Sequence, residues 1–223
     1  MWHAVADQIR PYILRIQTRQ KVGTGFICRK IPQAQLTVII TAGHVVDDCD
    51  HSSDPISFLH VSSGSLGLYQ PGHWRKFHAK TGDHAVIIIK GSENFLPDQE
   101  LGTLDDSVFV KQGREVGWFG FPRIFPTTLC FFSGIIAAYQ EEKGIYIIDG
   151  SGIHGLSGGP VFHNNLDRTS IIGILTEYHP NFTDTGPFPG LVVAHDLSFL
   201  KEPLEQVKTF EDAVHRISTA MPH

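Results

Sequence analysis

Gly155-Leu156-Ser157-Gly158-Gly159-Pro160 sets a serine among glycines, so its hydroxyl can stand clear of the chain while neighbouring backbone N–H groups turn toward one point. A serine that attacks a carbonyl needs that arrangement. The attacked carbonyl becomes an oxyanion, and a preorganised backbone donor aimed at it is worth about 3 kcal/mol of transition-state stabilisation. The N–H groups of Gly155 and Ser157 are the expected donors.

A serine hydroxyl is a weak nucleophile at neutral pH and needs a base, itself oriented by a third group. Thr41-Ala42-Gly43-His44 follows the apolar run Leu36-Thr37-Val38-Ile39-Ile40, which puts His44 at the end of a buried strand. Thr81-Gly82-Asp83-His84 leads into Ala85-Val86-Ile87-Ile88-Ile89, a strand too apolar to have either face in water, with Asp83 at its mouth. Asp47 and Asp48 lie closer to His44 in sequence, but on the short helical turn expected after Val46 they would cap or solvate that turn. A carboxylate half buried before an apolar strand must be hydrogen-bonded, and an imidazole N–H would satisfy Asp83.

The order His44, Asp83, Ser157 is that of chymotrypsin-type enzymes, not of subtilisins or α/β-hydrolases. Gly23-Thr24-Gly25-Phe26, Gly117-Trp118-Phe119-Gly120-Phe121-Pro122, Gly134-Ile135-Ile136 and Ile172-Gly173-Ile174-Leu175-Thr176 add to the pattern. From about residue 10 to about residue 195 the chain resembles the trypsin/chymotrypsin-like serine protease superfamily, most of all its bacterial and high-temperature-requirement branch. The resemblance implies an all-β fold of two antiparallel six-stranded barrels with the active site in the cleft between them. His44 and Asp83 would lie in the first (1–92), Ser157 in the second (107–196), with a connection at 93–106.

It also implies that Ile174-Leu175-Thr176-Glu177-Tyr178 lines the primary specificity pocket and pairs with substrate backbone, while Ser151, Gly152 and His154 form the opposite wall. Glu177 could attract a basic side chain but is expected to point to solvent, and Tyr178 to narrow the pocket toward small or medium apolar side chains. Secreted trypsins carry an aspartate before the nucleophile that pairs with the N-terminus freed by zymogen cleavage; Leu156 stands there, so that ion pair cannot form. No PDZ module is expected after the last helix.

Composition agrees with a single β domain spanning 1–223. Its 223 residues are 41% hydrophobic and include 22 glycines and 13 prolines, enough for a sizeable core and many turns. Short apolar segments recur at Tyr12 to Gln17, Gly25 to Cys28, Leu36 to Thr41, Ile56 to Val61 and Ala85 to Lys90. A second series runs through Ser107 to Val110, Glu115 to Phe121, Leu129 to Tyr139, Gly144 to Asp149, Pro160 to Phe162, Ser170 to Tyr178 and Leu191 to Ala194. Such spacing signals a sandwich or barrel. The end differs: Leu204, Val207, Phe210, Val214 and Ile217 recur at helical spacing, predicting a helix over 197–218 packed on the second barrel.

A net charge of −5 offers no electrostatic footprint for nucleic acid, and Arg29-Lys30 and Arg75-Lys76 read as solvated strand ends. No run of eighteen apolar residues exists, so no membrane-crossing helix is expected. The start, Met1 to Arg10, lacks a basic stretch followed by an apolar core; if Met1 is the native start, the protein is expected in the cytoplasm, and a form stripped of a secretory leader would read the same. Three cysteines fit reduced thiols better than a disulfide framework, with Cys28 and Cys130 in the core and Cys49 in a polar surface loop. Thirteen histidines are scattered without metal-ligand spacing, so no metal and no cofactor are implied. The expected partner is a protein or peptide substrate, with the oligomeric state open. Two rival uses of the same residues are a silent binding module and hydrolysis of small esters.

Overall fold

The computed structural model describes residues 2–31, 35–91, 109–165, 168–183 and 186–220, and the expected connection at 93–106 lies outside them. Seven strands make the first sheet: β1 (Ile13–Gln17), β2 (Val22–Ile31), β3 (Leu36–Ala42), β4 (Ile56–His60), β5 (Ser65–Tyr69), β6 (Trp74–His78) and β7 (His84–Lys90). They run antiparallel in the order β5-β4-β1-β2-β3-β7-β6. β3 and the body of β7 are buried on both faces, as their unbroken apolar runs require.

This half departs from the closed six-stranded barrel of the sequence reading: it has seven strands, and among the described residues edge strands β5 and β6 do not pair with each other. Neither carries an unbroken apolar run. In β5 the leucines face water, Leu66 at 70% and Leu68 at 62% exposure, and in β6 only Trp74 is fully buried.

The second half closes. β8 (Glu115–Gly120), β9 (Cys130–Gln140), β10 (Ile145–Gly150), β11 (Pro160–Asn165), β12 (Arg168–Thr183) and β13 (Gly186–Asp196) form an antiparallel barrel in the order β10-β13-β12-β11-β8-β9. No strand forms at Phe109-Val110, and the first half of that expected segment lies outside the described residues. Alternation along β8 divides the two cores: Val116 and Trp118 fill the barrel, while Phe119 and then Phe121 join the core shared with the first sheet.

The chain ends cross over. α1 (Trp2–Ile9), which sequence reading passed over, buries Val5 and Ile9 in the core shared with the first sheet, while the Trp2 ring lies 5.8 Å from Phe131 and 6.0 Å from Phe162 of the second barrel. α3 (Lys201–Ala220) was expected on the second barrel and docks instead against β6 and β7 of the first sheet. Its carboxylates find their cations there. Glu211 pairs with Arg29 at 2.6 Å, Glu202 pairs with Lys80 at 2.9 Å, and the Arg75 guanidinium lies 5.2 Å from the centre of the Phe210 ring. Arg29 and Arg75 are therefore docking residues rather than solvated strand ends. Val207 is fully buried, and the side chains of Val214 and Ile217 lie outside the described residues.

All three cysteines are free thiols. Cys49 corrects the sequence reading: it is 2% exposed, with Sγ 3.8 Å from the Pro55 carbonyl, because the loop after His44 folds its thiol into the core and leaves Asp50 outside.

Val207 is the anchor of α3. Val207→Asp, which buries an unpaired carboxylate, is expected to cost about 3 kcal/mol or more in urea unfolding, whereas Lys208→Ala on the exposed face should leave the midpoint unchanged.

Candidate active site

β3 runs into a single helical turn, α2 (Gly43–Val46), that carries His44. Its first two N–H groups are satisfied by one residue: Gly43 N–H donates to the Asp83 carbonyl at 3.1 Å, and His44 N–H donates to Asp83 Oδ1 at 2.7 Å. The other carboxylate oxygen, Oδ2, lies 2.5 Å from His44 Nδ1. Register makes this possible, since Ala42 on β3 lies opposite His84 on β7. The two nearer aspartates are engaged elsewhere. Asp47 pairs with Lys21, which also donates to the His44 carbonyl at 2.8 Å, and Asp48 accepts from the Thr18 hydroxyl at 3.0 Å.

Burial pushes the Asp83 carboxyl up, but the hydrogen bond and positive charge of His44 outweigh it, and the group sits below its ordinary value of 3.8. Behind it stands an aromatic stack from both halves. His84 lies on the Phe199 ring at 5.5 Å and 5.2 Å from His195, whose Nδ1 accepts from the Asp83 N–H at 3.4 Å. His84 is 1% exposed, and among the described residues neither ring nitrogen has a hydrogen-bond partner. Burial drives its pKa down to about 4, and the nearby His195 adds to the shift.

The serine loop is held from the other half by Thr24 of β2. The Thr24 N–H donates to the Ser157 carbonyl at 2.8 Å; its hydroxyl donates to the Gly155 carbonyl at 2.8 Å and accepts from Phe121 N–H at 3.1 Å. Its own carbonyl accepts from the Thr41 hydroxyl at 2.7 Å. Gly158 has φ +87, and a Cβ there would come within 2.0 Å of the Thr24 carbonyl oxygen, so only glycine lets the strand and the loop approach this closely.

The peptide between His154 and Gly155 has a fixed orientation. The His154 carbonyl accepts from Arg123 N–H at 2.7 Å, and in a trans peptide the following N–H, that of Gly155, points the opposite way. Among the described residues neither the Gly155 N–H nor the Ser157 N–H has an acceptor.

Two clefts meet at this point. The first, about 370 Å³, is lined by His44, Ser157, Gly152, Ile153, His154, Leu156, Leu175, Thr176, Glu177, Tyr178 and Val192. The second, about 420 Å³, lies on the other side of Ser157 and is lined by Gln20, Lys21, Val22, His44, Val45, Arg123, Pro126, His154, Gly155 and Ser157. His44, His154 and Ser157 belong to both. Of the residues the sequence singled out, Thr176, Glu177, Tyr178 and His154 line the first cleft, but Ser151 does not: it is exposed beyond the end of β10. Glu177 is paired with His179 at 3.1 Å, both exposed. Tyr178 presses on Gly152, where a Cβ would come within 2.4 Å of its ring. Leu156 is buried, its side chain packed with Leu175 and Val192. The sequence placed Leu175 in this pocket but gave no sign of Ile153 and Val192 beside it, nor of Gln20, Lys21, Val22, Val45, Arg123 and Pro126 in the second cleft, which come from distant loops.

The sequence matches the trypsin-like peptidase domain over residues 23–174. No curated protein sequence matches the chain. Among solved structures it is similar to the serine endoprotease of Yersinia pestis (18% identity, 92% of this chain and 66% of that chain, TM-score 0.67). It is also similar to inactive forms of the Rv3671c protease, in one case from M. tuberculosis H37Rv (14% identity, 92% and 90%, TM-score 0.59) and in a second structure (15%, 91% and 91%, 0.61). At these identities the likeness is one of fold.

Thr24→Val removes the hydroxyl that joins the two halves while keeping its shape; it should cost about 1–3 kcal/mol in urea unfolding. Acid should destabilise the fold: His84 takes a proton near pH 6.5 when unfolded and only near pH 4 when folded, so stability is complete above about 6.5 and falls toward 4. Up to about 3 kcal/mol is at stake. Unfolding midpoints measured across that range should slope more gently in His84→Phe; an unaltered slope would contradict this assignment.

Proposed function

Because the chain belongs to the trypsin-like peptidase family, whose domain covers residues 23–174, we propose that this serine protease is an endopeptidase acting through Ser157, His44 and Asp83 by way of an acyl-enzyme. The observation that carries this reading is the imidazole of His44: its Nδ1 is held at 2.5 Å by Asp83, and the same residue lines both clefts with Ser157. Asp83 fixes the tautomer that leaves Nε2 free to take a proton, and it stabilises the imidazolium once the proton arrives.

His44 removes the Ser157 proton as Oγ attacks the peptide carbonyl. The tetrahedral oxyanion is received by the N–H groups of Gly155 and Ser157, which lack other acceptors, and the orientation of the His154–Gly155 peptide supports a hole formed before substrate binds. His44 then gives its proton to the departing amine, and the acyl group stays on Ser157. A water deprotonated by His44 releases it. Leu156 leaves no carboxylate for a zymogen-type ion pair, so the protein is competent as synthesised or switched by some other means.

The first cleft would take the side chain on the acyl side of the bond. Its wall of Ile153, Leu156, Leu175 and Val192, with Tyr178 packed on Gly152, favours a small or medium apolar group. Glu177 is exposed and shares its carboxylate with His179, which weakens it as a counter-charge for lysine or arginine. Two clefts that share Ser157 suit a peptide extending to both sides of the scissile bond better than a small ester.

An organophosphate should label the wild-type protein and not Ser157→Ala, which separates an enzyme from a silent binding module. On a peptide library, wild type should cleave after small apolar residues, Ser157→Ala should cleave nothing, and Asp83→Asn should lose about 10⁴-fold in kcat. Turnover restricted to small esters, or cleavage dominated by lysine and arginine, would overturn the respective part of this reading.

A further inference from the structure

A carbonyl bound at Ser157 has two substituents that leave in opposite directions. One is the acyl chain, and the other is the amine that His44 must protonate. If the acyl side chain enters the cleft walled by Tyr178 and Val192, the amine and the residues attached to it must run over the second cleft.

That cleft differs from the first in its charge. Its floor is apolar, with Val45 buried and Val22 40% exposed, so the first residue after the scissile bond meets hydrocarbon. Among the described residues its formally charged lining residues are Lys21 and Arg123, both cationic, and no carboxylate lines it. The two cations are not equivalent. Lys21 is already committed, to the Asp47 carboxylate and the His44 carbonyl. The Arg123 guanidinium has no acceptor among the described residues, although its backbone N–H is fixed on His154 beside the oxyanion donors. A planar cation with no internal partner, anchored at one end of the reacting centre, is suited to a bidentate carboxylate.

We propose that Arg123 is a specificity-determining residue that selects substrates with a carboxylate just beyond the scissile bond, following an apolar first leaving-side residue. The chemistry is the same whether the carboxylate is an aspartate or glutamate side chain or the C-terminus of a short leaving peptide. This inference rests on Ser157 and His44 acting as nucleophile and base.

The test uses the full chain and internally quenched peptides that share one acyl half and carry Val first after the scissile bond. The second position is Asp, Glu, Ala or Lys, and a further pair ends at that position with either a free carboxylate or an amide. For wild type, kcat/KM should be about fivefold higher with Asp or Glu than with Ala and lowest with Lys, the span expected for an exposed ion pair, and it should shrink in high salt. The ratio of acidic to Lys peptide, taken within each variant, should approach one in Arg123→Ala and invert in Arg123→Glu. A gain confined to the free-carboxylate peptide would assign the site to chain termini, and a gain confined to internal Asp and Glu would assign it to side chains; either supports the proposal. Indifference to the second position, or a preference that survives Arg123→Glu, would overturn it. A reporter with the same acyl half and only a fluorophore as leaving group separates the two levels: turnover of the reporter with no discrimination among peptides sinks Arg123 alone, and no turnover of anything sinks the protease reading on which it rests.

Discussion

Thr24 couples the two halves of the molecule. A single residue on β2 uses its N–H, hydroxyl and carbonyl at once, reaching Ser157, Gly155, Phe121 and Thr41. Each of these bonds is modest alone, of order 1 kcal/mol net. Together they set the height of the serine loop against the sheet that carries His44. The absence of a side chain at Gly158 is the steric counterpart of the same constraint, because the loop can reach Thr24 only where nothing projects between them.

Electrostatics around the site follow from where water is excluded. Asp83 is placed where burial opposes its charge, and it is kept ionised by donors from the chain segment it supports: the His44 N–H and the His44 ring. Immediately behind it the environment is the reverse. His84 and His195 are driven toward their neutral forms by burial, and stacking on Phe199 replaces solvent around them. A neutral backing is compatible with a carboxylate whose charge is directed toward one imidazole; a charged backing would divide it.

What could be read from the sequence was whatever depended on local chemistry plus strand period. The unbroken apolar runs of β3 and β7 announced strands buried on both faces, and the polar residues at their ends, His44 and Asp83, had few ways to be satisfied except by each other. The glycines around Ser157 pointed to a loop with exposed donors. Other features depended on long-range partners and were illegible. β5 turns its leucines to water, so its apolar content suggests nothing about its pairing. Cys49 sits among aspartates in sequence but under Pro55 in space. The docking of α3 rests on Val207 and is oriented by Arg29, Arg75 and Lys80, from separate stretches that only the folded sheet brings onto one face. Ser151 shows the same limit at the site, where one residue beyond the end of β10 decides between wall and solvent.

The crossing of the chain ends has a mechanical corollary. With the first helix wedged against Phe131 and Phe162 and the last helix latched to the opposite half, each lobe is strapped by a segment that belongs, in sequence, to the other's end of the chain. Such a molecule resists hinging open like a book. Release of a spent peptide must then come from small displacements of the rims around the groove, and unfolding should engage both lobes as one cooperative event rather than peel them away in turn.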